Sequence, residues 1–509
     1  MRWWVCVAAC VVALQVAEAG RILFMAPIST KSHKNFYMGI VNALADHGNQ
    51  ITMVSPYKPA KERTNVREVV VTNVDILKII PNLFEEKFSG PLHLMLAVPT
   101  ICSEALSTDE IQNLMKEKFD LILLSTVMGD CLLSVVHQLK LPFIYVSPAG
   151  MVSPFTSMVG NPDFPSFVVN PMLNMRHPLT FTQRAISTLS GAVFEGIFNF
   201  YLMSRVEAEC RRRGLCPDDM PSLSEMRRNN SLLIINSVET VEYPPRPTVP
   251  AAIYCGGIHC RAPEPLPQDL EEWVQGAGDD GFIYFSLGSA VKPSSMPEKY
   301  RTILVEVFGS LKQQVLWKWD EDTMDDLPPN VRLGKWLPQQ DILGDPRLRL
   351  FITHGGLLST LESMYNGIPV LGMPVIGDQL TNMLGVERDG WGRVLHWDQL
   401  TPDALKTLMK DAMTNPRLKA EAQRRSVVMQ DLPMSPAQVA VYWVEYVMRH
   451  HGAAHLRCPA GDLPWYKLYN VDVWASVTVV LLLLTYISLR LFMACCSCLC
   501  SSRSKRKTD

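Results

Sequence analysis

A proline- and glycine-rich stretch in mid-chain, YPPRPTVPAAIYCGGIHCRAPEPLP from Tyr243 to Pro267, divides the sequence into two halves that repeat one pattern. Proline removes backbone donors and glycine frees the chain, so the stretch reads as an interdomain linker. Before it, RILFMAPI reads as a strand, STKSH as a turn-prone loop, and NFYMGIVNALADHG as a helix. In that helix Phe36, Ile40, Val41, Leu44 and Ala45 recur at helical spacing, and Gly48 stops it. ITMVSP is the next strand, and FDLILLS, a helix candidate from Asp130 through Leu139, and LPFIYVSP repeat the unit. After the linker, GFIYFSLGSA, QVLWKW, FIT and IPVLGMP are strands, each followed by a loop and a helix-compatible run. Strand–helix alternation builds parallel sheets, so the expected class is α/β with two parallel-sheet domains facing a cleft. In open α/β sheets ligands gather at the carboxyl ends of strands, which makes the loops after strands the ones to read.

A chain of 509 residues is too long for one ordinary core, which agrees with two domains. The formal net charge of −2 gives no footprint for nucleic acid. Residues 1–19, MRWWVCVAACVVALQVAEA, have one early basic residue, an apolar run and Ala17-Glu18-Ala19, the form of a secretory signal cleaved before Gly20. Near the other end Val473–Leu489 is uncharged, and residues 472–496 are long and apolar enough to span a bilayer. Trp474 and Tyr469 suit one interface and Arg490 can snorkel toward the other. The basic tail, 497–509, places that end in the cytoplasm and the body in the lumen. Its last residues, Lys505-Arg506-Lys507-Thr508-Asp509, resemble a K-x-K-x-x retrieval signal of endoplasmic reticulum membrane proteins. The expected layout is thus residues 20–245 as the first domain, 246–455 as the second with a returning helix, and 456–471 as a juxtamembrane segment.

Of the 13 cysteines, Cys6 and Cys10 leave with the signal, and Cys495, Cys496, Cys498 and Cys500 sit at the cytoplasmic end, open to palmitoylation. Seven remain in the lumen, an odd number with no zinc spacing, which excludes a disulfide scaffold. Bridges such as Cys210–Cys216 or Cys255–Cys260 are permitted by the compartment. Asn229-Asn230-Ser231 is an acceptor sequence for a glycan on Asn229.

The second half's loops read as a nucleotide site. Leu287-Gly288-Ser289 follows a strand and is either a common turn or a phosphate contact through Ser289. In Trp336-Leu337-Pro338-Gln339, the indole is either a core residue or a stacking face for a base, and Gln339 could bond a ribose hydroxyl. FITHGGLLSTLES holds His354 at a strand-to-helix junction, where it could be a base, a metal ligand, an anion binder or a structural residue. Gly355, Gly356 and the helix start favour the anion binder, with Ser359 as a further donor and Glu362 as a ribose acceptor. No second His, Cys or Asp stands at ligand spacing, so no metal is expected. Asp378 and Gln379 end another strand as a polar pair suited to sugar hydroxyls.

WLPQQDIL followed by FITHGGLLSTLESMYNGIPVLGMPVIGDQ resembles the signature of the UDP-glycosyltransferases, in their membrane-anchored animal branch. GNPDFPSFV, VETVEYPPRP, GGIH, IYFSLGS and VLWKW resemble further blocks of that branch, over nearly the whole mature chain. The resemblance implies a GT-B fold of two facing Rossmann-like domains, the second binding a UDP-sugar co-substrate and no cofactor being required. It implies uracil on Trp336, ribose on Gln339 and Glu362, diphosphate on Ser289, His354, Gly356 and Ser359, and the sugar on Asp378 and Gln379. It also implies that His33 is the general base toward the acceptor hydroxyl; on sequence alone it is an exposed turn histidine beside Lys31 and Lys34.

Two positions depart from the pattern. Relatives place an aspartate partner for the base where Ser125 stands here; Asp130 either serves from a shifted position or is a helix N-cap. Leu358 stands where many relatives have asparagine and resembles the invertebrate members that favour UDP-glucose. The expected activity is inverting transfer of a hexose, glucose before glucuronate, to a small lipophilic acceptor at the endoplasmic reticulum membrane. The alternative is a lumenal UDP- and lipophile-binding protein that has lost turnover. The apolar segments ILKIIPNLF, HLMLAVP and GAVFEGIFNFYLM are the expected acceptor pocket, and homo-oligomers are compatible with the sequence.

Overall fold

The computed structural model describes residues 19–74, 84, 91–168, 173, 175 and 178–505. The expected signal, most of ILKIIPNLF and the final four residues of the retrieval-like tail lie outside them. The chain forms two compact units, residues 1–458 and residues 459–509.

Among the described residues of the first unit, thirteen strands form two all-parallel sheets. The first has the order β3-β2-β1-β4-β5-β6-β7, with β1 Arg21–Met25, β2 Gln50–Ser55, β3 Val66–Val70, β4 Leu121–Ser125, β5 Phe143–Ser147, β6 Leu233–Ile235 and β7 Ala252–Tyr254. The second has the order β10-β9-β8-β11-β12-β13, with β8 Phe282–Ser286, β9 Gln314–Lys318, β10 Val331–Gly334, β11 Leu348–Thr353, β12 Val370–Gly372 and β13 Gly392–Val394. Strands covered by helices on both faces need no polar face, and LILLS, FIYVS and FIYFS are buried at every residue. This is the two-sheet GT-B arrangement that the resemblance implied.

Five helices of this unit matter for the site. α1 (Lys31–Asp46) buries Phe36, Tyr37, Ile40, Val41, Leu44 and Ala45 against the first sheet. It begins earlier than the sequence suggested, because the Thr30 hydroxyl accepts the His33 N–H and caps the first turn. His33 therefore sits inside a helix and not in a turn, and Lys34 beside it is buried in an ion pair with Glu68. α2 (Phe181–Gly196) continues into a π-helical turn, Ile197–Leu202. α3 (Leu357–Tyr365) and α4 (Gln379–Arg388) follow β11 and β12 in the second half. α5 (Pro436–Arg449) returns to the first half, where Ala440, Val441, Val444 and Val447 join its core and Glu445 accepts from Asn49.

Three expectations are corrected here. The stretch read as a linker contains β7, the edge strand of the first sheet, so that sheet runs past residue 246. Short AIY is apolar enough to pair, and an edge strand tolerates flanking prolines. GAVFEGIFNFYLM lines neither the cleft between the two halves nor the cavity adjoining it: Val193, Ile197, Phe200 and Tyr201 are exposed on α2 and the turn after it. Cys255 and Cys260 are unpaired, while Cys210–Cys216 forms as permitted and Cys102 bridges to Cys131, a pairing that spacing alone did not suggest.

In the second unit α6 (Val471–Lys505) is one uninterrupted helix. Its segment Val471–Ser497, 27 residues with mean hydropathy 2.2, is a candidate membrane span, longer than the ~20 residues a bilayer requires. Its leucines, valines and aromatic residues are exposed, as a lipid-facing surface would be.

Candidate active site

Each sheet reverses its strand order once, and the chemistry-bearing residues sit at those two places. In the first sheet the reversal falls between β1 and β4, in the second between β8 and β11. At a reversal the connecting helices leave on opposite faces, which opens a crevice beyond the strand ends. His33 follows β1 and Ser125 ends β4; Ser289 follows β8 and His354 follows β11. A single cleft of about 540 Å³ is lined from both halves. Lys31 and His33 lie on one wall, and Ser289, Trp336, Gln339, His354, Gly356, Ser359, Glu362, Asp378 and Gln379 on the other. All nine residues expected at the donor site thus meet in one place, opposite His33.

The donor wall is built around His354. Its ring lies so close to two backbones that a Cβ at Gly288 would come within 2.5 Å of it and one at Gly356 within 2.6 Å. Those two glycines are required by the approach, and Gly288 also has a φ of +79°. Gly356 caps α3 without a side-chain hydrogen bond, so the first-turn N–H groups stay free to face the cleft. A helix start with free N–H groups and partial positive charge is an anion site. Burial first, and the Lys318 charge second, push the His354 pKa down to about 4, so at neutral pH the imidazole is an uncharged donor.

Next to it is a ring of polar side chains. The Gln339 amide donates to Ser359 Oγ at 2.9 Å and to Glu362 Oε2 at 2.5 Å, while Tyr284 donates its hydroxyl to Gln339 Oε1 at 3.2 Å. Burial raises the Glu362 pKa to about 7, against the pull of Gln339, Arg261 and Lys318. Trp336, 63% exposed, lines the cleft and is not a core tryptophan. Asp378 accepts from Asn382, and the Gln379 side-chain oxygen accepts the N–H groups of Val375 and Ile376, which fixes the turn before α4.

On the acceptor wall, burial alone lowers the His33 pKa to about 4, leaving a neutral imidazole able to take a proton. Its Nδ1 is buried without a hydrogen-bond partner. Ser125, at the place of the expected aspartate, bonds Tyr37 at 2.7 Å, one helical turn after His33. Asp130 does not line the cleft. Its carboxylate accepts from Tyr145 at 3.0 Å and pairs with buried Arg227 at 3.0 Å, and Gly129, not Asp130, caps the short turn that follows. Both sequence readings of Asp130, base partner and N-cap, give way to a buried structural ion pair. Leu358 packs its side chain into the core of the first half while its carbonyl lies 3.4 Å from His259 Nε2. Sequence reasoning gave no role to Lys31, Lys318, Tyr284 or His259; GGIH, IYFSLGS and VLWKW carried three of them as parts of resembling blocks, and Lys31 stood only as a neighbour of His33.

Comparison with known proteins agrees with this geometry. Residues 35–507 match the family described as UDP-glucoronosyl and UDP-glucosyl transferase. UDP-glycosyltransferase UGT5 of Dactylopius coccus is 31% identical over 92% of this chain and 90% of its own. UDP-glucosyltransferase 2 of the same insect is 32% identical over 91% and 90%. UDP-glucuronosyltransferase 2B14 of Oryctolagus cuniculus is 33% identical over 73% and 69%. Among solved structures, the calicheamicin glycosyltransferase CalG4 superposes with a TM-score of 0.58 at 17% identity, covering 85% of this chain and 99% of that one. A UDP-glucose:anthocyanidin 3-O-glucosyltransferase in complex with UDP gives 0.57 at 15%, covering 85% and 99%. The chain is a member of the UDP-glycosyltransferase family, a GT-B enzyme that transfers a hexose from a UDP-sugar to an acceptor.

Proposed function

We propose that the donor is UDP-glucose, that the acceptor is the hydroxyl of a small lipophilic molecule, and that His33 is the general base. The observation that carries the reading is the shared cleft, with a neutral imidazole on one wall and an anion-ready helix start on the other. Uracil stacks on Trp336, the ribose hydroxyls bond Gln339 and Glu362, and the diphosphate lies against Ser289, His354, Gly356 and Ser359. The sugar hydroxyls face Asp378 and Gln379. His33 takes the acceptor proton as the acceptor oxygen bonds the anomeric carbon. The bond from that carbon to the diphosphate breaks, UDP leaves with the electron pair, and the anomeric centre inverts. α3 and His354 hold the leaving charge by preorganised donors, with no metal in the scheme.

Leu358 supports glucose: a buried apolar side chain there offers nothing to a charged or strongly polar sugar substituent. One insect relative is named a glucosyltransferase, and rabbit relatives are named glucuronosyltransferases, so glucuronate is the competing donor. The acceptor reading rests on a second cavity of about 290 Å³ that joins the cleft at Ala149, Leu357 and Asp378. Met151, Val152, Leu173 and Met364 give it apolar walls, with Arg246 and Arg388 also lining it. The body lies in the endoplasmic reticulum lumen with α6 across the membrane. Two disulfides suit an oxidising compartment, and exposed Asn229 suits a glycan.

A non-catalytic binder is the second reading, favoured by a His33 that has no carboxylate partner among the described residues. Microsomes carrying the full chain, given labelled UDP-glucose or UDP-glucuronate with a panel of phenols, separate these readings. Transfer from UDP-glucose supports the proposal, transfer from UDP-glucuronate alone overturns the choice of sugar, and UDP binding without transfer supports the binder.

A further inference from the structure

Two ammonium groups meet over the indole of Trp336, one from each half of the protein. Lys31 Nζ, from the first turn of α1, lies 4.9 Å from the ring centroid, and Lys318 Nζ, from the end of β9, lies 5.2 Å from it. Among the described residues neither ammonium forms an ion pair. An indole attracts one cation well, but two cations beside the same indole repel each other. An arrangement of this kind is eased by an anion placed between or beside the charges. Lys318 has a second contact that shows where such an anion belongs. Its Nζ donates to the Gly288 carbonyl at 2.7 Å, and Gly288 is the residue pressed against the His354 ring. The ammonium therefore stands between the base platform after β10 and the phosphate loop after β8. Lys31 reaches the same place from the opposite wall, two residues before His33.

We propose that Lys31 and Lys318 form a clamp across the cleft for the diphosphate of the donor, Lys318 from the donor wall and Lys31 from the acceptor wall. The clamp rests on the UDP-sugar reading above and adds to it the groups that bind the donor's charge. Lys31 shares a helical turn with His33, so closing on the diphosphate also fixes the base against the acceptor. The burial of Lys318 and the neighbouring Lys31 charge lower the Lys318 pKa to about 8, against the pull of the Glu362 carboxylate. The same anionic chemistry could come from the carboxylate of a uronate sugar, which the test separates.

Full-length protein in detergent micelles is titrated with uridine, UDP, UDP-glucose and UDP-glucuronate by calorimetry. Lys31→Met and Lys318→Met keep the aliphatic stem over Trp336 and remove only the charge. Each is expected to weaken UDP and UDP-glucose about tenfold, from the loss of a charge-assisted hydrogen bond. Uridine, which lacks phosphate, is expected to bind both variants within about twofold of the parent, and this also reports that they are folded. Equal losses for uridine and UDP, or no loss for UDP, overturn the clamp while leaving the donor reading intact. A loss confined to UDP-glucuronate overturns the diphosphate assignment in favour of the sugar carboxylate. A parent protein that binds no UDP overturns both the clamp and the donor reading.

Discussion

The two strand-order reversals carry one histidine each, and the two sites differ in ways that their shared topology does not explain. His33 is partly buried and His354 is buried, both have a pKa lowered to about 4, and both have a buried Nδ1 without a partner of normal geometry. Around His354 the helix start is uncapped by any side chain, and glycines bring two backbones against the ring. Around His33 the helix start is already capped by Thr30, so its N–H groups are less available to an anion. One place collects donors for a negative charge; the other holds a lone basic nitrogen against the cleft. Topology decides where a site forms, and the state of the helix cap decides which chemistry it can do.

The largest effect that would sharpen this contrast is on turnover. His33→Ala is expected to reduce transfer about 10²- to 10⁴-fold at saturating donor, the usual worth of a general base, measured by steady-state glucosylation. A loss below about tenfold breaks the assignment of the base.

Asp130→Asn tests the same wall for stability. Removing the charge of one partner of a buried ion pair is strongly destabilising, by about 3–5 kcal/mol. Thermal unfolding should therefore shift clearly downward, while transfer per folded molecule stays near the parent's. Loss of transfer in well-folded protein would return Asp130 to the base.

On the donor wall, UDP-glucose affinity should depend on pH in two limbs. Glu362 is protonated below about 7, so affinity for the ribose hydroxyls rises as pH passes through that value. Lys318 loses its charge above about 8, so affinity falls again beyond it. Because the Glu362 pKa is raised above its ordinary 4.5, the folded state holds the extra proton, and Glu362 costs stability as pH rises from about 4.5 to 7. Glu362→Gln should flatten the acid limb in a calorimetric pH series, and a limb that persists would assign it elsewhere.

The smallest effect is expected at Ser125→Ala. Its hydroxyl bonds Tyr37, not His33, so transfer should change less than about tenfold. A larger loss in stopped transfer assays would show that Ser125 does act on the base.

How much of this was legible in the sequence depends on the range of the interaction. FITHGG, WLPQQ and GDQ announced the donor wall because its parts are local: a strand, glycines and a helix start adjacent in the chain. The buried runs LILLS and FIYFS announced parallel strands for the same reason. Asp130 could not be placed, because its fate depends on Arg227 and Tyr145, which come from other elements. The Cys102–Cys131 bridge and the return of α5 to the first core are likewise long-range. GAVFEGIFNFYLM misled because apolar composition says that a face is sticky but not where it points. The Lys31–Trp336 contact joins residues from the two halves, so no local pattern signals it.

The most direct test of the division of labour is equilibrium binding of UDP to His33→Ala and His354→Ala, measured side by side with the full chain. His33→Ala is expected to bind UDP within about twofold of the parent, and His354→Ala about tenfold or more weakly, the worth of a hydrogen bond to a charged group. Equal binding by the two variants, whether both normal or both weakened, would contradict the account.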